Sequence, residues 1–455
     1  MDTQKLIETL LERIEILEKN NAFLMKRVYD LETELAIYKN KKNSKNSHTP
    51  PSQDQNRVKK NQSLREKSDR KAGGQFGHEG NTLLCSTVID EVVEHHSFFC
   101  NHCGNDIENT EEELIEIRQV IDIPEIKPYC TEHRVYRKKC TCGHTMNSSF
   151  PKHVVAKVQY GSRIESLVGY LHARQYLPYK RLHEFCNHVL NLPISVGGVH
   201  HLLQRLTKKA IPYYEQIKAR IEQAIFVGTD ETSVNINGQN DWIWTWQNED
   251  LTFLIHSDNR GFKTISDTFE GGLPKTVLQH DRFACHFQCN AFHHQICMAH
   301  VLRDLTYLSE IYKNYTWATD MQILIREAIA LKKELITSNY YEPFQARIEL
   351  ENKLKILLQQ ELHEECKKAK TLQKSLLKHQ EYILYFLHHP NVPPDNNGSE
   401  RAIRNVKVKQ KISGQFKTIK GAQNFAILRS VIDTTIKSGQ QVLYALNLIA
   451  TFGTE

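Results

Sequence analysis

No stretch of the 455-residue chain approaches eighteen uninterrupted apolar residues, which excludes an ordinary membrane-spanning helix. The N-terminus, MDTQKLIETLLERIEILEK, is acidic and polar and lacks the apolar centre of a secretory signal. The expectation is a soluble protein acting in the cytoplasm. A disulfide framework is missing too, because the eleven Cys are odd in number and scattered along the chain. Reduced thiols and metal ligation suit that usage better. Strong overall charge is absent: the formal balance is only +6, and the positive charge is concentrated in segments. Gly and Pro are missing from residues 6–38, and Gly from 301–390, so both stretches are open to long helices. Core-forming material is not lacking, at 40% hydrophobic, and the length allows two or more domains.

What is present centres on Ala224–His256, which reads as three consecutive strands. Ile225, Phe226 and Val227 are β-formers leading into Gly228-Thr229-Asp230-Glu231. Asn237-Gly238 is a type I′ hairpin signal, since both central positions need positive φ. Trp242, Trp244 and Trp246 follow at period two and share one sheet face, and Leu251–Ile255 forms the third run. Asp230 thus sits on the first strand of an antiparallel meander. A solvated strand end is its bland reading. Two later acids argue otherwise: Asp281 ends the short run PKTVLQHD (274–281), and Glu400 lies on a helix opening at Pro394–Ser399. Two strand-end Asp and a helical Glu suit a pair of Mg²⁺ or Mn²⁺ ions, which take oxygen ligands and leave positions open for phosphate. By strand alternation Glu231 points to the opposite face from Asp230, so it is expected to be a bystander.

The segments TDET (229–232), QHDRF (279–283), CMAHVLRDL (297–305), NNGSERAIR (396–404) and KISGQFKT (411–418) resemble the bacterial transposases of the insertion sequence 66 family. That resemblance implies an RNase H-like catalytic core with a D-D-E triad, mapping onto Asp230, Asp281 and Glu400. It also implies a helical insertion between the second Asp and the Glu, and a zinc-binding module upstream.

The flanking regions have readings of their own. In residues 1–40, Ile7, Ile14, Asn21, Val28 and Leu35 fall at a, and Leu10, Leu17, Leu24, Leu31 and Tyr38 at d. Branched residues at a, Leu at d and a single Asn at a favour a parallel two-stranded coiled coil, with Arg13 facing Glu18 and Arg27 facing Glu32. A helix packed on its own domain is the alternative. Residues 41–84 hold few apolar groups and many cations, among them Lys59, Lys60, Arg70 and Lys71, so a phosphate-attracting tether is expected.

Residues 85–150 carry Cys100-Asn101-His102-Cys103-Gly104 and Cys140-Thr141-Cys142-Gly143. Two thiolate pairs suit one structural Zn²⁺, although the second pair is a residue shorter than a standard knuckle, so Cys130 or His144 is an alternative ligand. The alternating segments Leu114–Ile123 and Tyr129–Arg137 read as ribbon strands.

Residues 151–222 read as helices. Pro178–Leu190 and Ser195–Ala210 form either a helix-turn-helix, with His200, His201, Gln204 and Arg205 facing DNA, or a supporting helical hairpin. Residues 223–308 and 391–455 would form the two parts of the catalytic domain, with the helical insertion at 309–390. Cys297 and His300 could share a metal, but packing is the plainer reading, with His300 near the phosphates. On the Glu400 helix, Arg401, Arg404, Lys407 and Lys411 offer a cationic row to DNA.

The resulting expectation is a multidomain α/β DNA transposase that cleaves transposon ends, after which the freed 3′-OH attacks target DNA. Its partners would be DNA, a second copy of the chain and accessory proteins of the same element. The alternatives are a zinc-dependent DNA-binding protein or inactive remnant, and an RNase H-like nuclease without strand transfer.

Overall fold

The computed structural model describes residues 3–43, 46–47, 54, 80, 83–335, 340 and 344–453. Lys59, Lys60, Arg70 and Lys71 lie outside the described residues, as does nearly all of the basic tether.

Without Gly or Pro to interrupt it, the first segment is one helix, α1 (Thr3–Lys39). Its heptad residues Ile7, Leu10, Ile14, Leu17, Leu24, Val28, Leu31, Leu35 and Tyr38 all remain exposed. The opposite face is the one that packs. Tyr29 meets the Tyr315 ring edge-on at 5.6 Å, Ala36 and Ile37 join a buried cluster, and Asn40 Nδ2 donates to the Glu310 carbonyl at 3.2 Å.

Between residues 83 and 150 regular structure is sparse. Strands β1 (Arg137–Lys139) and β2 (Thr145–Asn147) pair antiparallel, and one bridge joins Phe99 to Asp106. The expected ribbon over Leu114–Ile123 does not form, and of Tyr129–Arg137 only Arg137 enters a strand. Leu114, Ile115, Ile117, Val120, Ile121 and Ile123 are all exposed, so that segment has no burial to hold an extended ladder.

Packing begins with α2 (Ser162–Gly169), which runs into a π-turn over Tyr170–Arg174. Helices α3 (Tyr179–His188) and α4 (Val196–Glu222) follow, and Ser195 caps α4 by accepting the Gly198 N–H at 3.0 Å. The sheet comprises β3 (Phe226–Ile236), β4 (Gln239–Gln247), β5 (Thr252–Ser257), β6 (Leu273–His280) and β7 (Ala291–Ile296). The short helix α5 (Phe262–Thr268) links β5 to β6. Asn237 and Gly238, at φ of 50° and 86°, make the β3–β4 turn that the sequence demands.

Strand order is β5-β4-β3-β6-β7. The first three strands are an antiparallel meander, while β6 runs parallel to β3, and β7 parallel to β6. After the sheet come α6 (Met298–Ile311), α7 (Trp317–Glu334), α8 (Gln345–Gln359) and α9 (Lys367–Lys378). They build a core of their own around Trp317, Met321, Leu354 and Leu376, joined to the sheet through Phe226, Val277 and Ile296. The chain then returns as α10 (Asn397–Ser413), α11 (Ile419–Lys437) and α12 (Val442–Phe452). These pack with α2 and α4, with α10 and α11 over the sheet face that carries Gly228 and Gln247, while Trp244 and Trp246 stack at 5.9 Å on the other face. Among the described residues no helix is long and apolar enough to cross a membrane.

Candidate active site

The parallel pairing of β3 with β6 places two acids side by side. Gly228 is opposite Gln279, and two residues further on Asp230 lies within β3 and Asp281 just past the end of β6. Asp230 follows the alternation of β3, so it shares a face with Gly228, the face that α10 covers. A Cβ on Gly228 would stand 2.4 Å from Asn396 Oδ1 and 2.9 Å from Ser399 Oγ, and one on Gly398 would stand 2.4 Å from Gln247 Nε2. Glycine at both positions lets strand and helix approach this closely.

Polar bonds then fix the start of α10, and with it Glu400. Asn396 Nδ2 donates to the Thr229 carbonyl at 2.7 Å, and Ser399 Oγ donates to Asn396 Oδ1 at 2.6 Å. Gln279 Nε2 donates to the Pro393 carbonyl at 2.7 Å, and the Met298 N–H to that of Pro394 at 2.9 Å. The second Asp is oriented differently. Arg282 adopts a left-handed φ of 71° immediately after it, and the Phe283 N–H donates to Asp281 Oδ1 at 3.1 Å.

The three acids also act on one another's charge. Burial raises the pKa of Asp230 well above the usual range, and Asp281, Glu231 and Glu400 add to the effect. For Asp281 burial acts in the same direction, but the imidazoles of His286 and His300 and the Phe283 amide outweigh it and hold the group ionised. Glu400 Oε1 is buried and, among the described residues, accepts no hydrogen bond; His300 Nε2 lies 3.8 Å away and Arg303 Nη2 3.6 Å away. A raised carboxyl among carboxylates and an unsatisfied carboxylate oxygen are the marks of a place suited to a hard cation. Among the described residues, however, no three His, Cys, Asp or Glu side chains already stand close enough to hold one metal ion.

Several expected contacts are used elsewhere. Lys407 does not face solvent as a free cation: its Nζ donates to the Ser233 carbonyl at 2.7 Å and ties α10 to β3. Arg401, Arg404 and Lys411 are exposed, so the cationic row is these three. Arg205 is likewise taken, its Nε donating to the buried Glu165 at 2.6 Å, while His200 packs on Tyr179 with ring centroids 5.8 Å apart. Both are contacts with neighbouring helices, whereas His201 is exposed. Cys297 is fully buried, its Sγ accepts the Asn396 N–H at 3.2 Å, and burial pushes its thiol up to about 11. That is packing, whereas His300 stands beside Glu400.

Glu231 is not a bystander. It is buried and its Oε1 accepts from Arg260 Nε at 3.0 Å; the guanidinium lies over the rings of Trp242 and Phe283 at 4.8 and 4.4 Å. Its Oε2 is 3.5 Å from His286 Nε2, and His286 Nδ1 is 3.6 Å from Asp281 Oδ1. Arg260, His286 and Arg303 carry no spacing signal that links them to the acids. They come together only through the sheet.

Each cysteine pair forms a tight turn. The Cys100 carbonyl accepts the Gly104 N–H at 2.8 Å, and that of Cys140 accepts the Gly143 N–H at 2.9 Å, with both glycines at positive φ. Backbone N–H groups of Cys103 and His102 lower the pKa of Cys100, and that of Cys142 lowers Cys140. These are turns that favour thiolates, but the two pairs are not gathered at a single point.

The family described as "Transposase IS66 family" matches residues 157–424, and a family of unknown function (DUF6444) matches residues 2–83. No curated protein matches the chain.

Proposed function

The chain belongs to the IS66 family of transposases, and from that premise we propose that it catalyses metal-dependent cleavage at transposon ends and strand transfer into target DNA on an RNase H-like core. The observation that carries this reading is that the parallel register of β3 and β6 brings Asp230 and Asp281, the residue after β6, near each other, with Glu400 in the first turn of α10 close enough to act on Asp230. The mixed sheet, an antiparallel meander β3–β5 continued by parallel β6 and β7, supports the α/β part of this reading. Asp230, Asp281 and Glu400 would hold Mg²⁺ or Mn²⁺, which, when bound, offsets the charge that builds on the phosphodiester oxygens. Arg303 and His300 stand beside Glu400, and Arg401, Arg404 and Lys411 extend from the same helix to bind the DNA backbone.

Zn²⁺ bound by Cys100, Cys103, Cys140 and Cys142 would draw the two turns together as a structural centre. The exposed heptad face of α1 suits a parallel homodimer, because the face that packs on the rest of the protein is the opposite one. Sedimentation of the full chain is expected to show a dimer, and Asn21→Ile to give mixed strand number.

The decisive experiment is cleavage of transposon-end DNA in Mg²⁺, alongside DNA binding at fixed salt. Asp230→Asn, Asp281→Asn and Glu400→Gln each keep shape and remove one charge. Each is expected to lose about 10²–10³-fold or more in rate, the scale of preorganised electrostatic stabilisation. Binding should persist through the remaining cations. Wild-type cleavage by Asp230→Asn and Asp281→Asn would refute the catalytic assignment.

A further inference from the structure

We propose that Glu231 and His286 are positioning residues that set the orientation of Asp281, so that metal affinity depends on a carboxylate–imidazole–carboxylate chain running beneath the sheet. The inference rests on the triad reading above. His286 is completely buried, with one ring nitrogen 3.5 Å from Glu231 Oε2 and the other 3.6 Å from Asp281 Oδ1. Among the described residues neither nitrogen has a hydrogen-bond partner, nor does Glu231 Oε2. Buried polar atoms are costly to leave unmatched, so the pairing of these atoms with each other is the arrangement that lowers that cost. Both separations are slightly longer than a hydrogen bond, and a shift of about 0.5 Å would close either.

The ring has little freedom to do anything else. Trp244 and Phe283 meet it edge-on at centroid distances of 5.6 and 5.8 Å, and His280 lies 5.1 Å away. Glu231 is held in turn by Arg260, whose Nη2 lies 2.9 Å from the same carboxylate and which Trp242 and Phe283 brace. The chain therefore runs from the surface to the catalytic carboxylate through rigid groups. A carboxylate ligand supported through an imidazole is the arrangement by which outer groups commonly tune a metal site, and loss of such a group typically costs about 10–100-fold in affinity or activity.

Mn²⁺ titration of the full-length chain, read by the paramagnetic signal of free Mn²⁺, tests this beside melting and DNA-end cleavage. Glu231→Gln keeps the volume and is expected to weaken Mn²⁺ binding by about 10–100-fold, with KM for DNA unchanged. Saturating Mn²⁺ should restore most of the cleavage rate. Asn places its amide nitrogen near the Nδ1 position of imidazole and Gln near Nε2. His286→Asn, which keeps the donor toward Asp281, should therefore hold Mn²⁺ more tightly than His286→Gln.

Mn²⁺ affinity within twofold of wild type in Glu231→Gln overturns the proposal, as does a cleavage loss that saturating Mn²⁺ leaves uncorrected. Should either His286 variant fail to fold, Glu231→Gln alone decides. Asp281→Asn is the reference: if it binds Mn²⁺ like wild type, the triad assignment fails rather than the positioning role.

Discussion

Around Asp230 the carboxylates are held by a packed sheet and a clamped helix, whereas Cys100 and Cys140 sit in turns with almost nothing beneath them. In the first region Gly228 and Gly398 allow contact so close that a single methyl group would collide, and bonds from Asn396, Ser399 and Gln279 anchor the chain before Glu400. In the second, exposed Ile, Val and Leu side chains line residues 114–123 and regular pairing is confined to two three-residue strands. Geometry in the sheet comes from burial. Under the zinc proposal, geometry around the cysteines would come from a bound ion, because metal binding and folding would then share one free energy.

The largest effect that could break this contrast is that of a chelator, which the zinc proposal predicts. Chelation of the full-length chain should make residues 83–150 accessible to protease and leave the melting of the sheet region nearly unchanged. The measurement is limited proteolysis with mass mapping beside circular dichroism and elemental analysis. Collapse of both regions together would mean that the sheet depends on the cysteine segment, and a purified protein without zinc would remove the four-thiolate assignment.

A smaller effect is expected from Gly228→Ala. The added Cβ meets Asn396 Oδ1 at 2.4 Å, Gln247 Nε2 at 2.9 Å and Ser399 Oγ at 2.9 Å, three groups that set the start of α10. Overpacking of this kind costs about 1–3 kcal/mol. Because the displaced groups lead directly to Glu400, cleavage should fall by more than the loss of folded protein explains. Thermal melting and single-turnover rates check both parts. A variant that melts and cleaves like wild type would show that the strand and helix are not as tightly coupled as the close approach indicates.

The contrast also marks what a sequence can disclose. Local signals were readable: the Asn237-Gly238 turn, the Ser195 cap, the long α1 and the Gly-free helices α6–α9 all follow from short-range chemistry. Asp281 and Glu400 stood out because one follows a strand and the other opens a helix, but Asp230, expected at a strand end, lies in the middle of β3 because the strand continues to Ile236. Contacts set by the third dimension did not stand out. Lys407 and Lys409 are only two residues apart on one helix, yet one bonds to β3 and the other is buried beside His172. Glu231 looked irrelevant because alternation turns it away from Asp230, and nothing in the chain reveals that His286 returns to join it to Asp281. Leu114–Ile123 failed for the converse reason: alternation supplies a strand-like face, but among the described residues no neighbour covers it.

The smallest effect concerns Lys409, which tests how completely the packed region excludes water. Its Nζ lies 3.3 Å from His172 Nδ1 and 3.4 Å from the Leu177 carbonyl, and burial pulls its pKa down to about 7. An unfolded lysine keeps its proton up to about pH 10.4. Between those limits the unfolded chain binds the proton that folded Lys409 has given up, so stability rises with pH across that window. Below about pH 7 both states are protonated and this group adds no slope. His172, lowered to about 3 by burial and then by Lys409, acts in the same direction but in acid, so it does not overlap the window. Lys437 and Lys332, each lowered to about 8 by burial, also contribute above neutrality, and comparison with a single variant cancels them. Lys409→Met should be more stable than wild type at pH 7.5, with the gap narrowing by up to about 2 kcal/mol by pH 9, on the scale of 1.36 kcal/mol per unit. Urea unfolding at the two pH values reads the difference. Parallel pH profiles for variant and wild type would mean that water reaches Lys409 in the folded protein, and the difference between the buried sheet region and the exposed cysteine turns would then be one of degree.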